Sequence, residues 1–443
     1  MRVDEFEDVG FFWLPDDVDA SHRVPGTLRV SKLGTVTLDT FGLADTSKNS
    51  LASFGEHNTE SSAGRVLGVT KGHGNVTLEG TRKISRGLDI RGSGTSFSTS
   101  DIRASWLFIG RHFDVKEPIR LAGLSFTVEG LDQWLARSGI RAHFHSDRRH
   151  ATIDFQAPED LSYSFEDGTT AEILTSYSLP HANRETTEIK MSQSAHIRLA
   201  TKGCWSLADV ANRLAWFRDL LCLAIDRDVS VTSVRGYCDV HTNVPIKQGE
   251  SQVPVSMIYE AVNQRDSNPD VFGPMMLFQF DAIEPDFERY LERWLRFNAD
   301  HPAPIRLFFE AYGLSSDMPL ALQFQRLVEA LEAFDKASGR RAVRLDRRIE
   351  RMTDPFAENI GLTGGSSRFA QHVSKTRNFL VHHDDSKRTD AAHGRDLFRL
   401  TVQCELLLIY HFVSMIAGDQ TTAVNLIGKS QPVLRRLDTI AGI

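Results

Sequence analysis

The spacing of apolar residues divides the 443-residue chain into two parts. In the first part, short runs such as 35–38 and 124–128 alternate apolar and polar side chains, a period typical of half-buried strands. Glycines and polar turns separate these runs, and many short strands at such spacing predict an antiparallel sandwich or jelly-roll-like module. The predicted strands are 26–30, 35–38, 65–69, 76–78, 106–109, 124–128, 151–155, 229–234 and 253–259. Helices are predicted at 131–135 and 206–225.

The pattern after residue 281 is helical. Apolar residues there recur every three or four positions, and almost no strand signal remains. The predicted helices are 286–297, 305–312, 320–336, 341–352, 366–381 and 395–417. We therefore predict an α+β protein of two domains, with a β-rich domain at 1–265 and a helical bundle at 281–443.

Composition is that of a globular protein, with 41% hydrophobic and 25% charged residues. The net charge of −7 gives no general attraction to nucleic acid or to an anionic membrane, so any basic site must be local. The four cysteines are widely spaced and contain no C-x-x-C pair, which argues against a disulfide scaffold and favours a reducing compartment.

The most apolar stretch, 397–417, contains Arg399, Gln403, Glu405 and His411. Placing these side chains in a bilayer would be costly, so we interpret the stretch as a buried bundle helix. The N-terminus is acidic and has no apolar signal core. The expected location is the cytoplasm, with no membrane partner.

The end of the predicted helix 366–381 contains the strongest candidate for chemistry. Arg377 lies one residue from the apolar face, Asn378 follows, and His382 comes at the helix end. The Arg–His spacing is weak evidence alone, and an ordinary solvated helix end has the same composition. Two other pairs share it: Arg296 with His301, and Arg388 with His393. The Arg377 pair differs because Asn378 follows the Arg, the helix belongs to a bundle, and a long apolar helix comes next.

Such residues suit metal-free cleavage of RNA, in which a 2′-OH attacks the neighbouring phosphate and a cyclic phosphate forms. Histidine is the side-chain type best suited to general acid–base chemistry at neutral pH, so His382 could move the proton. Arg377 could hold the phosphate oxygens as charge develops, and Asn378 could orient the group or the imidazole. The reaction needs both an acid and a base, and the motif supplies one His. A symmetric dimer, which brings two copies of the motif together, would complete the site.

The densest basic run lies in the predicted helix 341–352 and the residue before it. On a helix, five of its arginines would share one face and could bind RNA phosphates. A solvated or internally salt-bridged face is equally compatible, because Asp346 and Glu350 interrupt the run. The five are Arg340, Arg344, Arg347, Arg348 and Arg351.

A metal site at His143 and His145 is a weaker hypothesis. The two side chains point the same way on a strand, but no third ligand occurs at a familiar spacing. We therefore expect no metal.

These motifs give the chain a resemblance to a known family. Arg377, Asn378 and His382 between two bundle helices resemble the signature of HEPN-domain ribonucleases. The first half resembles the N-terminal domain that accompanies ApeA-like HEPN proteins. The resembling stretches are GFFWLP at 10–15, GTL at 26–28, IGRHF at 109–113 and LDQWL at 131–135.

The resemblance implies an antiphage role by abortive infection. It implies a sensor-like N-terminal domain that responds to a phage-derived trigger, and a ribonuclease for which tRNA is the expected target. It also implies no cofactor, metal independence and a homodimer formed through the HEPN bundle. By motif position the catalytic roles pass to Arg377, Asn378 and His382, and His383 satisfies the looser spacing as a second His.

Two other functions fit the same sequence. The bundle could be catalytically inactive and bind RNA or a partner. Alternatively, the activity could reside in the β-rich half as a phage-sensing or ligand-binding module without nuclease activity.

Overall fold

The structure is a computed structural model that describes residues 1–16, 23–43, 64–90, 96–114, 118–146, 150–180, 188–238, 254–260, 273–312, 318–382 and 385–442. The chain forms two compact units. The first comprises Met1–Glu129, Gly139–Leu214 and Ser230–Asn268. The second comprises Gly130–Ser138, Ala215–Val229 and Pro269–Ile443. The boundaries 1–265 and 281–443 stay a prediction.

The first unit is built from antiparallel strands, and the second contains most of the helices, which confirms the predicted fold class. The strands are β1 (Phe6–Trp13), β2 (Val24–Val30), β3 (Val36–Leu43), β4 (Gly64–Thr70), β5 (Gly74–Ile90), β6 (Ser96–Ala104), β7 (Trp106–Ile109), β8 (Leu121–Val128), β9 (Ile140–Phe144), β10 (Ala151–Phe155), β11 (Leu161–Ser164), β12 (Thr169–Ser178), β13 (Ser192–Trp205), β14 (Val231–Cys238) and β15 (Val255–Tyr259).

The predicted sandwich or jelly roll is realised as a barrel continuous with an open sheet. Strands β1, β2, β3, β6, β5 and β4 pair in a closed ring. Closure depends on β5, because its first part pairs with β4 and β7 while its second part pairs with β6. Side chains such as Phe12, Leu28 and Leu78 are fully buried, so the barrel interior is filled by a packed core.

The open sheet continues from β7 through β15, β14, β8, β13 and β12 to β11. A separate two-stranded sheet is formed by β9 and β10. His143 lies on β9, where its Nε2 is 3.9 Å from Asp154 Oδ2. Among the described residues, no group of three or more His, Cys, Asp or Glu is placed to hold a metal ion.

The helices match most of the predicted segments. They are α1 (Leu131–Leu135), α2 (Leu207–Ile225), α3 (Phe287–Asp300), α4 (Pro302–Ala311), α5 (Leu320–Ala337), α6 (Leu345–Thr353), α7 (Ser366–His382), α8 (Gly394–Ala417), α9 (Gln420–Ile427) and α10 (Gln431–Ala441).

Helix α8 forms the centre of the second unit. Every side chain from Leu406 to Val413 is buried, and such all-round burial is typical of a central bundle helix. Within the described chain, α8 is the one helix long and apolar enough to cross a membrane by length and composition alone. Because 72% of that stretch is buried inside the protein, the prediction of a buried bundle helix is confirmed.

Helices α9 and α10 were missing from the sequence prediction. Both are short, and α9 contains β-branched residues that lower helix propensity. A local signal did exist at α9, because Asp419 caps it by accepting a hydrogen bond of 2.8 Å from the Thr422 backbone N–H. An ion-pair network holds α10: Arg436 donates to Asp226 at 2.8 and 2.9 Å and to Glu405 at 2.7 Å.

A buried histidine makes this unit sensitive to acid. His411 on α8 donates from Nε2 to the Met352 carbonyl oxygen at 3.0 Å and contacts the rings of Phe334 and Phe356. Burial lowers the pKa of His411 from its ordinary value of 6.5 to about 4. Of the nearby charges, Arg340 acts in the same direction on this pKa and Asp335 acts against it. The imidazole is therefore neutral in the folded protein at neutral pH.

We expect the free energy of unfolding to fall as the pH drops from 6.5 towards 4, because the unfolded chain binds a proton at this histidine first. The loss attributable to His411 should be about 2 kcal/mol at pH 5. Urea unfolding at pH 7.5 and pH 5 measures it. The His411→Gln variant should have the smaller difference between the two pH values, and exposed His301→Gln should match the parent. Equal pH dependence in all three proteins would contradict this assignment.

Candidate active site

The three candidate catalytic residues lie on α7, whose boundaries confirm the predicted helix within one residue. Its apolar face is buried in the bundle through Phe369, Ala370, Val373 and Thr376. Thr376 Oγ1 also accepts a hydrogen bond of 2.9 Å from the Ala392 backbone N–H. The packing fixes the rotation of α7, and therefore the direction in which each polar side chain leaves it.

Arg377 is half-buried and faces α5. Its Nη2 lies 3.8 Å from Glu332 Oε1, and its Nη1 donates to Asn378 Oδ1 at 3.5 Å, near the long limit for a hydrogen bond. Glu332 was not anticipated from the sequence. The available signal was a half-buried acid on the amphipathic α5, three residues before the buried Asp335. Glu332 can orient the Arg377 guanidinium, and it also offsets part of its charge.

His382 is exposed and is the last residue of α7. Five residues along a helix correspond to about 140° of rotation and about 7.5 Å of rise from Arg377. The two side chains therefore leave the helix in different directions. Asn378, four residues before His382, lies on the same side of α7 as the imidazole. The structure thus places Asn378 beside both residues but does not bring Arg377 and His382 together within one chain. His383 lies outside the described residues.

Position at a helix end does not distinguish this motif. His301 directly follows α3, so the Arg296 pair also ends a helix. Arg296 is held by Glu292 in an exposed pair at 3.1 Å. The features that do distinguish the Arg377 motif are Asn378 and the long helix α8 that follows.

The predicted arginine face does not form, because α6 begins at Leu345 and not at residue 341. Arginine side chains engage the backbone carbonyls of the preceding loop: Arg351 Nη1 donates to the Arg341 oxygen at 3.1 Å, and Arg348 Nε donates to the Val343 oxygen at 2.8 Å. Those carbonyls are then not used by a helix, and the loop before α6 stays non-helical. Arg340 and Arg344 therefore lie outside the helix.

The contacts of Arg351 indicate that this residue stabilises the fold. Its guanidinium binds both carboxylate oxygens of Asp335, with Nε to Oδ1 at 2.7 Å, and the Asp335 side chain is only 1% exposed. Arg347 is exposed and paired with Glu350 at 2.6 Å, and Arg344 lies 3.3 Å from Asp346. Internal pairing therefore accounts for much of this basic run.

Two family models match the chain. Residues 7–294 match the model described as ApeA N-terminal domain 1, and residues 311–422 match the model described as Apea-like HEPN. No curated protein and no solved structure matches it. The first match contains the barrel and open sheet, and the second contains α7 with the Arg377 motif. The chain therefore belongs to the family of ApeA-like HEPN proteins, in which an ApeA N-terminal domain precedes a HEPN domain.

Proposed function

We propose that this protein is an antiphage endoribonuclease that cleaves RNA without a metal ion and leaves a 2′,3′-cyclic phosphate. tRNA is the proposed substrate, and loss of translation would give abortive infection. The observation that supports this proposal most directly is the placement of Arg377, Asn378 and His382 on one packed helix of the HEPN domain.

The chemistry needs three events at one phosphate. A base removes the proton of the 2′-OH, the oxygen attacks phosphorus, and the 5′-oxygen of the next nucleotide leaves with a proton from an acid. His382 serves in proton transfer, and Arg377 stabilises the charge on the phosphate oxygens. Asn378 orients the imidazole or the scissile group.

A homodimer through the HEPN bundle would complete this site. The 140° offset between Arg377 and His382 on α7 supports a dimer. A phosphate in contact with His382 of one copy can be contacted by Arg377 of the other copy. A second histidine from the other copy would supply the missing acid or base.

RNA or partner binding without cleavage is the second candidate function. The 3.8 Å approach of Glu332 to Arg377 favours it, because the carboxylate competes with phosphate for the guanidinium. Glu332 equally suits an active enzyme by holding Arg377 in place before substrate arrives.

For the first unit we propose recognition of a phage-derived trigger. Exposed apolar side chains on the barrel, Phe11 at 55% and Phe41 at 57%, support a protein-binding surface. We propose the cytoplasm as location, supported by four free cysteines.

The experiment that tests the function is sequencing of RNA 3′ ends after phage challenge. We expect new cyclic-phosphate ends in cells with the parent protein and none with Arg377→Ala, because the cation on the phosphate is lost. Arg296→Ala, from the other helix-end pair, should give the parent pattern. Identical RNA ends in all strains would leave RNA or partner binding as the function.

A further inference from the structure

A cavity of about 920 Å³ opens in the second unit at the N-terminal end of α7. This is within the range of ligand-binding pockets. Its wall is formed by the loop before α7, by α7 itself, by α8 and by α10, and none of the candidate catalytic residues lines it. The lining residues that matter here are Arg368, Phe369, His372, Arg399, Leu400 and Asp438.

Two guanidinium groups face this cavity from neighbouring helices. Arg368 on α7 makes no hydrogen bond or ion pair within the described part of the chain. Arg399 on α8 has a long contact of 3.7 Å with Asp396, in which the Arg399 side chain is 36% exposed and the Asp396 side chain 65% exposed. Exposed pairs of this kind contribute little free energy, so both arginines can bind a phosphate.

The other residues that line the cavity disfavour an anion that has no hydrogen-bond donors. Glu358, Asp396 and Asp438 also line the cavity, so acidic side chains outnumber the arginines. A ligand must therefore present hydrogen-bond donors as well as a phosphate. A ribonucleotide does this, because carboxylates accept hydrogen bonds from ribose hydroxyls and from base amino groups. Buried Phe369 and Leu400 provide apolar surface for a base.

His372 adds a neutral polar group. Burial is the main cause that lowers the pKa of this imidazole from its ordinary value, and Arg368 and Lys375 lower it further while Asp396 opposes them. A neutral imidazole both donates and accepts a hydrogen bond. This matches hydroxyl and base groups better than it matches a second phosphate.

A stripe on α7 connects the cavity to His382. Positions separated by three and four residues share one face of a helix, and those from Arg368 to His382 follow this spacing. The stripe spans about 21 Å, a distance that a short RNA strand can cover. It is formed by Arg368, His372, Lys375, Phe379 and His382, all exposed or half-buried.

We propose that the cavity between α7, α8 and α10 binds one ribonucleotide of the RNA substrate, with its phosphate on Arg368 and Arg399. The strand then follows the stripe on α7 to His382. This inference rests on the proposed ribonuclease function and assigns a substrate-binding site remote from the catalytic residues.

Binding of a fluorescently labelled single-stranded RNA to the full chain tests the proposal. The His382→Ala background slows cleavage by about 10²–10⁴-fold, so anisotropy measured at short times reports affinity alone. Arg368→Gln and Arg399→Gln should each weaken binding about tenfold and lower the salt slope by about one phosphate contact. Arg289→Gln on α3 is the control, because it removes an exposed positive charge outside the cavity and should change affinity less than twofold. Melting temperatures check that each variant is folded.

Two further measurements identify the ligand. DNA of the same sequence should bind more weakly than RNA, and Asp438→Asn should reduce that preference. Adenosine monophosphate, titrated by calorimetry, should bind to the parent and not to Arg368→Gln. If the mononucleotide binding depends on Arg368 while RNA affinity does not, the cavity takes a free nucleotide and the RNA subsite is wrong.

The proposal is overturned if both cavity variants bind RNA as the Arg289→Gln control does. Cleavage by the protein with intact His382 is measured separately. Cleavage that is unaffected by Arg368→Gln would contradict this inference alone. RNA binding that depends on Arg368 in a protein that never cleaves RNA would instead contradict the proposed function.

Discussion

Replacing His382 by Ala is expected to lower the rate of RNA cleavage by about 10²–10⁴-fold, the usual contribution of a general acid or base. This variant removes the group that carries the proton. Because His382 is exposed at the end of α7, its loss should not disturb the packing of the bundle. The purified protein is mixed with labelled tRNA, and product formation is followed under single-turnover conditions. Melting temperature and dimer mass should stay those of the parent.

The matched control is His301→Ala, which removes an exposed histidine from the same Arg–His spacing at the end of α3. It should cleave at the parent rate. A double variant, Arg377→Ala with His382→Ala, should be little slower than His382→Ala alone, because residues that act as one unit lose activity together. Equal rates for His382→Ala and the parent would exclude this histidine from catalysis.

Replacing Arg351 by Met is expected to destabilise the protein by about 3 kcal/mol, near the lower end for a broken buried ion pair because Arg351 remains partly exposed. The change leaves the Asp335 carboxylate buried without its cation and frees the Arg341 carbonyl. Urea unfolding measures the loss. RNA affinity of the folded variant should match that of the parent, since the guanidinium is committed to Asp335.

Arg347→Met provides the control for this second prediction. Arg347 lies on the same helix, but it is exposed and its pair with Glu350 is solvated, so stability should change little. The double change Asp335→Leu with Arg351→Met should recover most of the loss, because no unpaired charge remains buried. Unchanged stability with weaker RNA binding in Arg351→Met would instead make Arg351 a substrate contact.

The basic run shows why its predicted helical face was wrong, since α6 begins only at Leu345. RNA binding by these arginines stays a prediction. Helical spacing of Arg340, Arg344 and Arg351 is visible in the sequence, but the partners that decide their role are not. Asp335 lies on another helix, and the loop carbonyls that bind Arg348 and Arg351 belong to residues that the helical pattern assigned to the helix itself or placed directly before its observed start. A charged run can therefore be recognised locally, whereas its function depends on which charges folding brings to it.

Local information was sufficient for α7 and for the β-rich and helical halves. Period-2 and period-3.6 patterns arise from backbone geometry within a few residues, so they can be recognised without knowledge of the rest of the chain. The same locality placed Arg377, Asn378 and His382 at the end of one helix. The roles of these three residues in catalysis stay a prediction.

The sequence by itself thus determined the β-rich and helical halves, most of the elements within them, the candidate motif and its family resemblance. Only the tertiary structure decided the closure of the barrel by the pairing of β3 with β6, the approach of Glu332 to Arg377, and the cavity beside Arg368. The physical reason is that each of these features joins residues far apart in the chain. Their proximity is set by the packing of whole elements, and it leaves no periodic trace in the local order of side chains.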